Sequence, residues 1–149
     1  MKSLNTFGNS LISNCRHQQF KIVETLEALL TRNSVTSLSE PIPTQEEMEV
    51  VFQAALRAPD HAWLRPWKFI QVTGEGRKKL GDAFVQTATA VNEELPEALV
   101  EKAKNAPFRA PMVLVLIAEI KEHPKVPEIE QIVSTGAAAQ NMLLALHDL

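Results

Sequence analysis

A continuous apolar run between Pro111 and Ile120 constrains the fold of this chain more than any other feature. The run reads Met112-Val113-Leu114-Val115-Leu116-Ile117-Ala118 and is rich in branched residues. Such a run is typical of a central β-strand that is covered on both faces. A second strand is predicted over residues 67–72, whose side chains alternate between two faces until Gly74 stops the strand. Two strands are too few for an independently stable sheet, so the sequence predicts that part of the sheet is missing.

Helical segments are predicted on both sides of these strands. Their ranges are residues 23–31, 44–58, 77–92, 96–105 and 128–149. The second begins with a capping box, in which Thr44 covers the amide of Glu47 and Glu47 reaches back. Gly74-Glu75-Gly76 invites a dinucleotide-binding interpretation, but Lys79 replaces the third glycine, and a turn that starts a helix is favoured. The order of elements predicts an α+β or mixed α/β fold with a small sheet.

The last predicted helix is the longest and has a wide apolar face. That face contains Ile132, Val133, Ala137, Ala138, Met142, Leu143 and Leu146. Gly136 and the alanines after it keep the face thin, which would permit close approach of another helix. Charged and amide side chains along the same segment argue against a membrane span.

Composition predicts one folded domain and excludes several classes of function. A chain of 149 residues with 45% hydrophobic content can bury a single core. The net charge of −3 and the absence of a clustered basic face argue against a nucleic-acid surface. Cys15 is the only cysteine, so neither a disulfide framework nor a zinc site is supported, and a reducing, cytoplasmic setting is expected.

The first 22 residues differ from the rest of the chain. Lys2, Arg16 and Lys21 give this segment a charge of +3, and no acidic residue precedes Glu24. We expect residues 1–22 to be a disordered or loosely attached extension, with an organelle presequence as the alternative. Residues 23–149 are then the folded domain.

Two groups of polar residues, each at a predicted helix end, favour a phosphate-bearing planar cofactor such as a flavin. Arg32 and Ser34 offer a guanidinium fork and a hydroxyl that suit phosphate oxygens, although Arg32 could instead cap the carbonyls of its helix. Arg57 and His61 lie four residues apart across Pro59 and could face one pocket. The alternative for His61 is a purely structural hydrogen-bond partner.

Three residues that follow His61 leave further alternatives open. Trp63 and Trp67 could both belong to the core, and Arg65 could simply be solvated. No Ser-His-Asp arrangement, no convincing carboxylate pair and no phosphate loop is present. Any chemistry is therefore expected to belong to a cofactor, with no catalytic side chain and no metal.

Four phrases of the sequence, in order, resemble the YdjA-like branch of the nitroreductase superfamily over residues 23–149. They are L-L-T-R-N-S-V, A-A-L-R-A-P-D-H-A-W-L-R-P-W-K-F, K-N-A-P-F-R-A-P and H-P-K-V-P-E-I-E-Q. The resemblance implies an α+β fold with a mixed sheet flanked by helices. It also implies a homodimer with the long central helix at the dimer interface and the flavin between subunits.

The activity implied by the resemblance is an FMN-dependent oxidoreductase. Hydride would pass from NAD(P)H through the flavin to a nitroaromatic, quinone or similar small-molecule acceptor in a ping-pong mechanism. By position, Arg32, Asn33 and Ser34 would hold the phosphate end of FMN, and Arg57 and His61 would reach the flavin bound mainly by the partner subunit. The stretch associated with NAD(P) in this branch matches Ala145, Leu146, His147, Asp148 and Leu149.

The sequence also departs from the family pattern. Many relatives have a second basic residue at the place of Asn33, so the affinity for phosphate would be lower here. Relatives continue past the long helix with a Gly-rich turn, a W-R-[ST]-G segment and a closing strand, none of which occurs in this chain. We therefore expect the chain to be truncated at its C-terminus and to lack the last strand. The alternative hypothesis is a non-catalytic fragment that dimerises without binding flavin productively.

Overall fold

The computed structural model describes residues 25–149, so the predicted extension over residues 1–22 lies outside the described residues. The helices are α1 Thr25–Thr31, α2 Gln45–Ala55, α3 Glu75–Val91, α4 Glu97–Asn105 and α5 Glu128–Asp148, and the strands are β1 Trp67–Thr73 and β2 Met112–Ala118. Short 3₁₀ turns occur at His61–Trp63 and Ala106–Arg109. The predicted order of helices and strands is confirmed. No helix among residues 25–149 is long and apolar enough to cross a bilayer.

The sheet consists of β1 and β2, which pair antiparallel with Trp67 opposite Ala118 and Thr73 opposite Met112. The prediction that β2 is covered on both faces is wrong for this structure. Its residues 112–116 are only partly buried, and its last two residues are exposed. Among residues 25–149, α5 is the helix that packs extensively on β2 and β1 is its single strand partner, so one face and one edge of β2 stay open.

The core lies where α2 and α5 pack on each other and on the sheet. Its buried members are Met48, Val51, Ala55, Ala58, Trp67, Ala138 and Met142. At its margin the rings of Phe52 and Phe69 stack with centroids 5.8 Å apart. The predicted capping box at the start of α2 is confirmed, since the Thr44 hydroxyl accepts the Glu47 amide at 3.2 Å and the Glu47 carboxylate accepts the Thr44 amide at 2.7 Å.

Gly74 forms a turn that starts a helix, as predicted, and Gly81 has a packing role that the sequence did not indicate. Gly74 has a φ of 49° and turns the chain from β1 into α3. Gly81 is buried where α3 meets α4, and a Cβ added there would lie 2.3 Å from the carbonyl oxygen of Lys104. The glycine at position 81 therefore sets how closely these two helices pack.

The buried face of α5 differs from the predicted apolar face. Of that set only Ala138 and Met142 are buried, whereas Ile132, Val133 and Leu143 are exposed. Gln131 and Thr135 are buried instead. Polar side chains are tolerated there because they meet backbone partners: the Thr135 hydroxyl donates to the carbonyl of Pro66 at 2.9 Å, and the Gln131 amide donates to the carbonyl of Lys121 at 2.8 Å.

Candidate functional site

The predicted phosphate-binding residues lie at the C-terminal exit of α1. Arg32 closes the last turn of α1 through its main-chain N–H, which donates to the carbonyl of Ala28 at 3.0 Å. Its Nη1 donates to the Ser34 hydroxyl at 3.3 Å, and Asn33 and Ser34 are exposed. No carboxylate among residues 25–149 lies within ion-pair distance of Arg32. The guanidinium and the hydroxyl are therefore available to an anion.

The end of α5, which contains the predicted NAD(P) residues, lies beside this group. The Thr31 hydroxyl is 3.0 Å from Nε2 of His147 and also donates to the carbonyl of Glu27 at 2.7 Å. Because a hydroxyl has one proton to donate, Nε2 of His147 is the donor in the first contact. Ala145 and Leu146 are half-buried, and the last three residues, 147–149, are exposed. The structure thus brings two of the predicted groups together at one end of α5.

His61 lies near the other end of α5, whereas Arg57 lies beside the C-terminal half of the helix, where the Asn141 amide donates to the carbonyl of Ala54 at 3.0 Å. Nδ1 of His61 is 2.8 Å from the carboxylate of Glu130, in the first turn of α5, and both side chains are about half exposed. This contact supports the structural alternative for His61. The Arg57 side chain is exposed and makes no ion pair within the described part of the chain, while its main-chain N–H donates to the carbonyl of Ala54 at 3.1 Å.

The length of α5 separates the two ends of the predicted site. Glu130 and His147, which mark them, are seventeen residues apart on one straight run of helix, about 25 Å at 1.5 Å per residue. That distance exceeds the reach of a mononucleotide. Within one subunit, therefore, the structure does not bring His61 to the group around Arg32, and the backbone of Arg57, beside Asn141, lies between the two ends.

The loop between α2 and β1 has an unusual backbone. Ala62, Trp63 and Arg65 have φ angles of 61°, 56° and 47°, in the left-handed region, where each residue other than glycine costs roughly 1–2 kcal/mol. Trp63 is 78% exposed, and the guanidinium carbon of Arg65 is 5.9 Å from the centroid of its ring. Of the two tryptophans, only Trp67 belongs to the core, at 8% exposure.

The sequence assigns Arg57 and His61 of this loop to a site, but neither Trp63 nor Arg65. Periodicity cannot distinguish a tryptophan that is held in solvent from one in the core, since both are apolar residues beside a strand. The only available signal is that Ala62-Trp63-Leu64-Arg65 stands between two prolines, which indicates a short loop of fixed geometry.

A cavity of about 790 Å³ lies along the free edge of β2. Residues 35–43 form one wall and the C-terminal part of α5 forms another. The lining is mostly apolar, and its charged residues are Glu47 and Arg109. Of the predicted site residues it includes Leu146 and Leu149 but neither arginine of the predicted flavin site. The cavity therefore adjoins the group around Arg32, because Val35 directly follows Ser34 and Leu146 directly precedes His147.

Metal ligands are not grouped in the described part of the chain. No cluster of three or more His, Cys, Asp or Glu side chains among residues 25–149 could hold a metal ion.

Comparison with known proteins gives the chain a family context. The family model described as Nitroreductase family matches residues 29–149. The protein named "Putative NAD(P)H nitroreductase YdjA" of Escherichia coli strain K12 is 39% identical over 123 residues, which are 83% of this chain and 66% of that protein. A "Putative NAD(P)H nitroreductase" of Haemophilus influenzae is 40% identical over 124 residues, again 83% and 66%. The chain thus spans slightly less than two thirds of these relatives.

Solved structures show the same fold at lower identity. A nitroreductase-like family protein from Bacillus cereus superposes with a TM-score of 0.65 at 23% identity, covering 83% of this chain and 64% of that one. A nitroreductase family protein from Clostridium novyi NT gives a TM-score of 0.61 at 21% identity, covering 85% and 65%. The α+β architecture described above is nitroreductase-like.

Proposed function

The chain belongs to the nitroreductase family, and we propose that it acts as an FMN-dependent oxidoreductase. In this proposal NAD(P)H is the electron donor, and a nitroaromatic, quinone or similar small molecule is the acceptor. Family membership supports the oxidoreductase class in general. The observation that carries the flavin is the guanidinium of Arg32, which no carboxylate of residues 25–149 pairs with, beside the Ser34 hydroxyl and next to the end of α5.

The residues at the exit of α1 fit the phosphate end of FMN. Arg32 offers a planar fork of donors, Ser34 a hydroxyl and Asn33 an amide, and no described carboxylate pairs with the guanidinium. When bound, FMN supplies a ring that accepts hydride from a reduced nicotinamide and returns it to an acceptor. The chain's own contribution is to bind and orient that ring.

A homodimer formed through α5 is part of the proposal. One stripe of the helix is left uncovered within the subunit and repeats every three or four residues. It consists of Ile129, Val133, Gly136, Gln140, Leu143 and His147. A Cβ added at Gly136 would meet nothing within 4 Å, so no neighbour in the described chain requires a glycine there. Glycine inside a helix costs about 1 kcal/mol relative to alanine. Close packing of a second helix would give that glycine a role.

A twofold axis near Gly136 would complete the flavin site. Gly136 lies midway between Ile129 and Leu143, so two copies of α5 that cross there in antiparallel fashion align the start of one with the end of the other. His61, tied to Glu130 at the start of α5, would then approach the partner's group around Arg32. Arg57 belongs to the same loop, but its backbone lies beside Asn141 rather than Glu130, so the proposed axis assigns it no place at the partner's flavin.

Titration of the purified protein with FMN tests this proposal. We expect stoichiometric binding, seen as loss of FMN fluorescence, and an absorbance band that NAD(P)H bleaches. Arg32→Gln should raise the Kd for FMN roughly tenfold to a hundredfold, the value of a hydrogen bond to a charged group. Lys79→Gln is the matched control, since it removes an exposed cation from α3. A colourless protein that ignores added FMN would refute the proposal.

A second candidate function is a non-catalytic chain that dimerises through α5 without binding flavin productively. The observation that favours it is the two-stranded sheet of residues 25–149. Sedimentation combined with the FMN titration separates the two candidates. Dimerisation without FMN binding supports the second, and tight stoichiometric FMN binding excludes it.

A further inference from the structure

The loop between α2 and β1 holds Trp63 in solvent against a cost in backbone energy. Left-handed φ angles at Ala62 and Trp63 are unfavourable because the Cβ atom crowds the following carbonyl oxygen. A relaxed loop could avoid this cost and lay the indole on the apolar surface nearby. The structure instead leaves 78% of Trp63 exposed.

Contacts within the loop and from two other parts of the chain fix this strained geometry. The Asp60 carboxylate accepts the amide of Arg65 at 2.7 Å, and the Lys121 ammonium donates to the carbonyl of Leu64. Pro66 is fully buried, and its carbonyl accepts the Thr135 hydroxyl at 2.9 Å. Strain that is held from several sides is characteristic of binding sites, where a side chain must be kept in one position.

The two side chains that the loop displays form a complementary pair. Arg65 lies over the ring of Trp63 with its guanidinium carbon 5.9 Å from the centroid, and the exposure of the indole leaves ring surface open to solvent. An indole is electron-rich and stacks well on electron-poor rings. The adjacent guanidinium attracts an anionic substituent on such a ring.

We infer that Trp63 and Arg65 form a binding platform for planar, electron-poor aromatic compounds that carry a carboxylate or a similar anionic group. His61 lies in the same 3₁₀ turn as Trp63. In the proposed dimer this turn adjoins the partner's flavin, so the platform would bind the electron acceptor. The assignment of the ligand as an acceptor rests on the proposed function, whereas binding to the platform does not.

Fluorescence titration with para-nitrobenzoate tests the platform directly, because nitroaromatic compounds quench indole emission on contact. We expect saturable quenching of Trp63 emission in the full chain, and its loss in Trp63→Phe, which retains only the buried Trp67. Trp63→Ala should raise the Kd for para-nitrobenzoate, followed by calorimetry, about fivefold to tenfold, as expected for one stacked aromatic pair.

The charge of Arg65 is tested by comparison with para-nitrobenzamide, the neutral analogue. Arg65→Gln should raise the Kd for the benzoate about threefold and leave that for the benzamide unchanged. Lys79→Gln, the same change of charge on α3, should leave both values unchanged.

Three results would overturn the inference. They are equal quenching in the wild-type and Trp63→Phe proteins, equal effects of Arg65→Gln on both ligands, and a concentration-dependent blue shift of Trp63 without ligand, which would place the indole against a second copy. The flavin proposal fails separately. If the chain binds para-nitrobenzoate through Trp63 but binds no FMN, the platform inference stands and the flavin proposal fails. If the chain binds FMN that NAD(P)H bleaches but Trp63 is not quenched, only the platform inference fails.

Discussion

Gly136→Ala gives opposite results with and without the proposed helix–helix interface. In an isolated subunit the new methyl meets nothing within 4 Å. The only effect is then on helix propensity, and the free energy of unfolding should rise by about 1 kcal/mol, or roughly 2–4 °C in Tm for a chain of this length.

In the proposed dimer the same substitution adds two methyl groups, one from each copy, where the helices approach most closely. Overpacking a close contact costs about 1–3 kcal/mol per added group, so the two together should weaken association by about 2 kcal/mol or more. The Kd of the dimer should then rise about thirtyfold or more.

Sedimentation equilibrium measures the dimer Kd, and urea unfolding at low protein concentration measures the stability of the subunit. Thr87→Ala on the exposed face of α3 is the control, since it also improves helix propensity but lies away from α5. A rise in stability of about 1 kcal/mol with an unchanged dimer Kd would show that no second helix packs on Gly136.

Two further predictions concern packing and linkage. Gly81→Ala places a Cβ 2.3 Å from the carbonyl oxygen of Lys104, so it should lower the free energy of unfolding by about 1–3 kcal/mol. Urea titration measures this change, and an unchanged midpoint of unfolding would mean that α3 and α4 do not pack as described. Saturating FMN should lower the dimer Kd by the same factor by which dimerisation lowers the Kd for FMN, because both processes share one site. We expect a factor of about 5 to 150. A dimer Kd that does not change with FMN would contradict a site built from two subunits.

Local signals account for what the sequence predicted correctly. The capping box joins Thr44 and Glu47, which are three residues apart, so four consecutive residues suffice to predict the start of α2. Strand β1 and the turn at Gly74 are likewise local. The four phrases that resemble nitroreductases add the family, which the family model confirms over residues 29–149.

Features that depend on distant residues were not predictable in this way. Thr135 and Gln131 are buried because carbonyl groups of Pro66 and Lys121 accept their protons, and nothing in the periodicity of α5 reports those partners. Because α5 turns its Gln131 and Thr135 side inward, Ile132 and Val133 are exposed. The contact between Thr31 and His147 joins residues 116 positions apart and required the tertiary structure.

Two features of this chain lower its stability locally: a glycine inside α5 and left-handed residues in the loop after α2. One explanation, a surface that binds a partner or a ligand, accounts for both. Each departs from a local rule: a Cβ built at Gly136 would meet no neighbour among residues 25–149, and the contacts that hold the strained loop leave Trp63 exposed to solvent. Sequences depart from local rules mainly where function requires it. Both features lie on surfaces that a second subunit or a ligand would cover, and α5 connects them. The distance of about 25 Å between Glu130, the partner of His61, and His147 fits the proposed dimer, in which the start of one α5 would approach the end of the other.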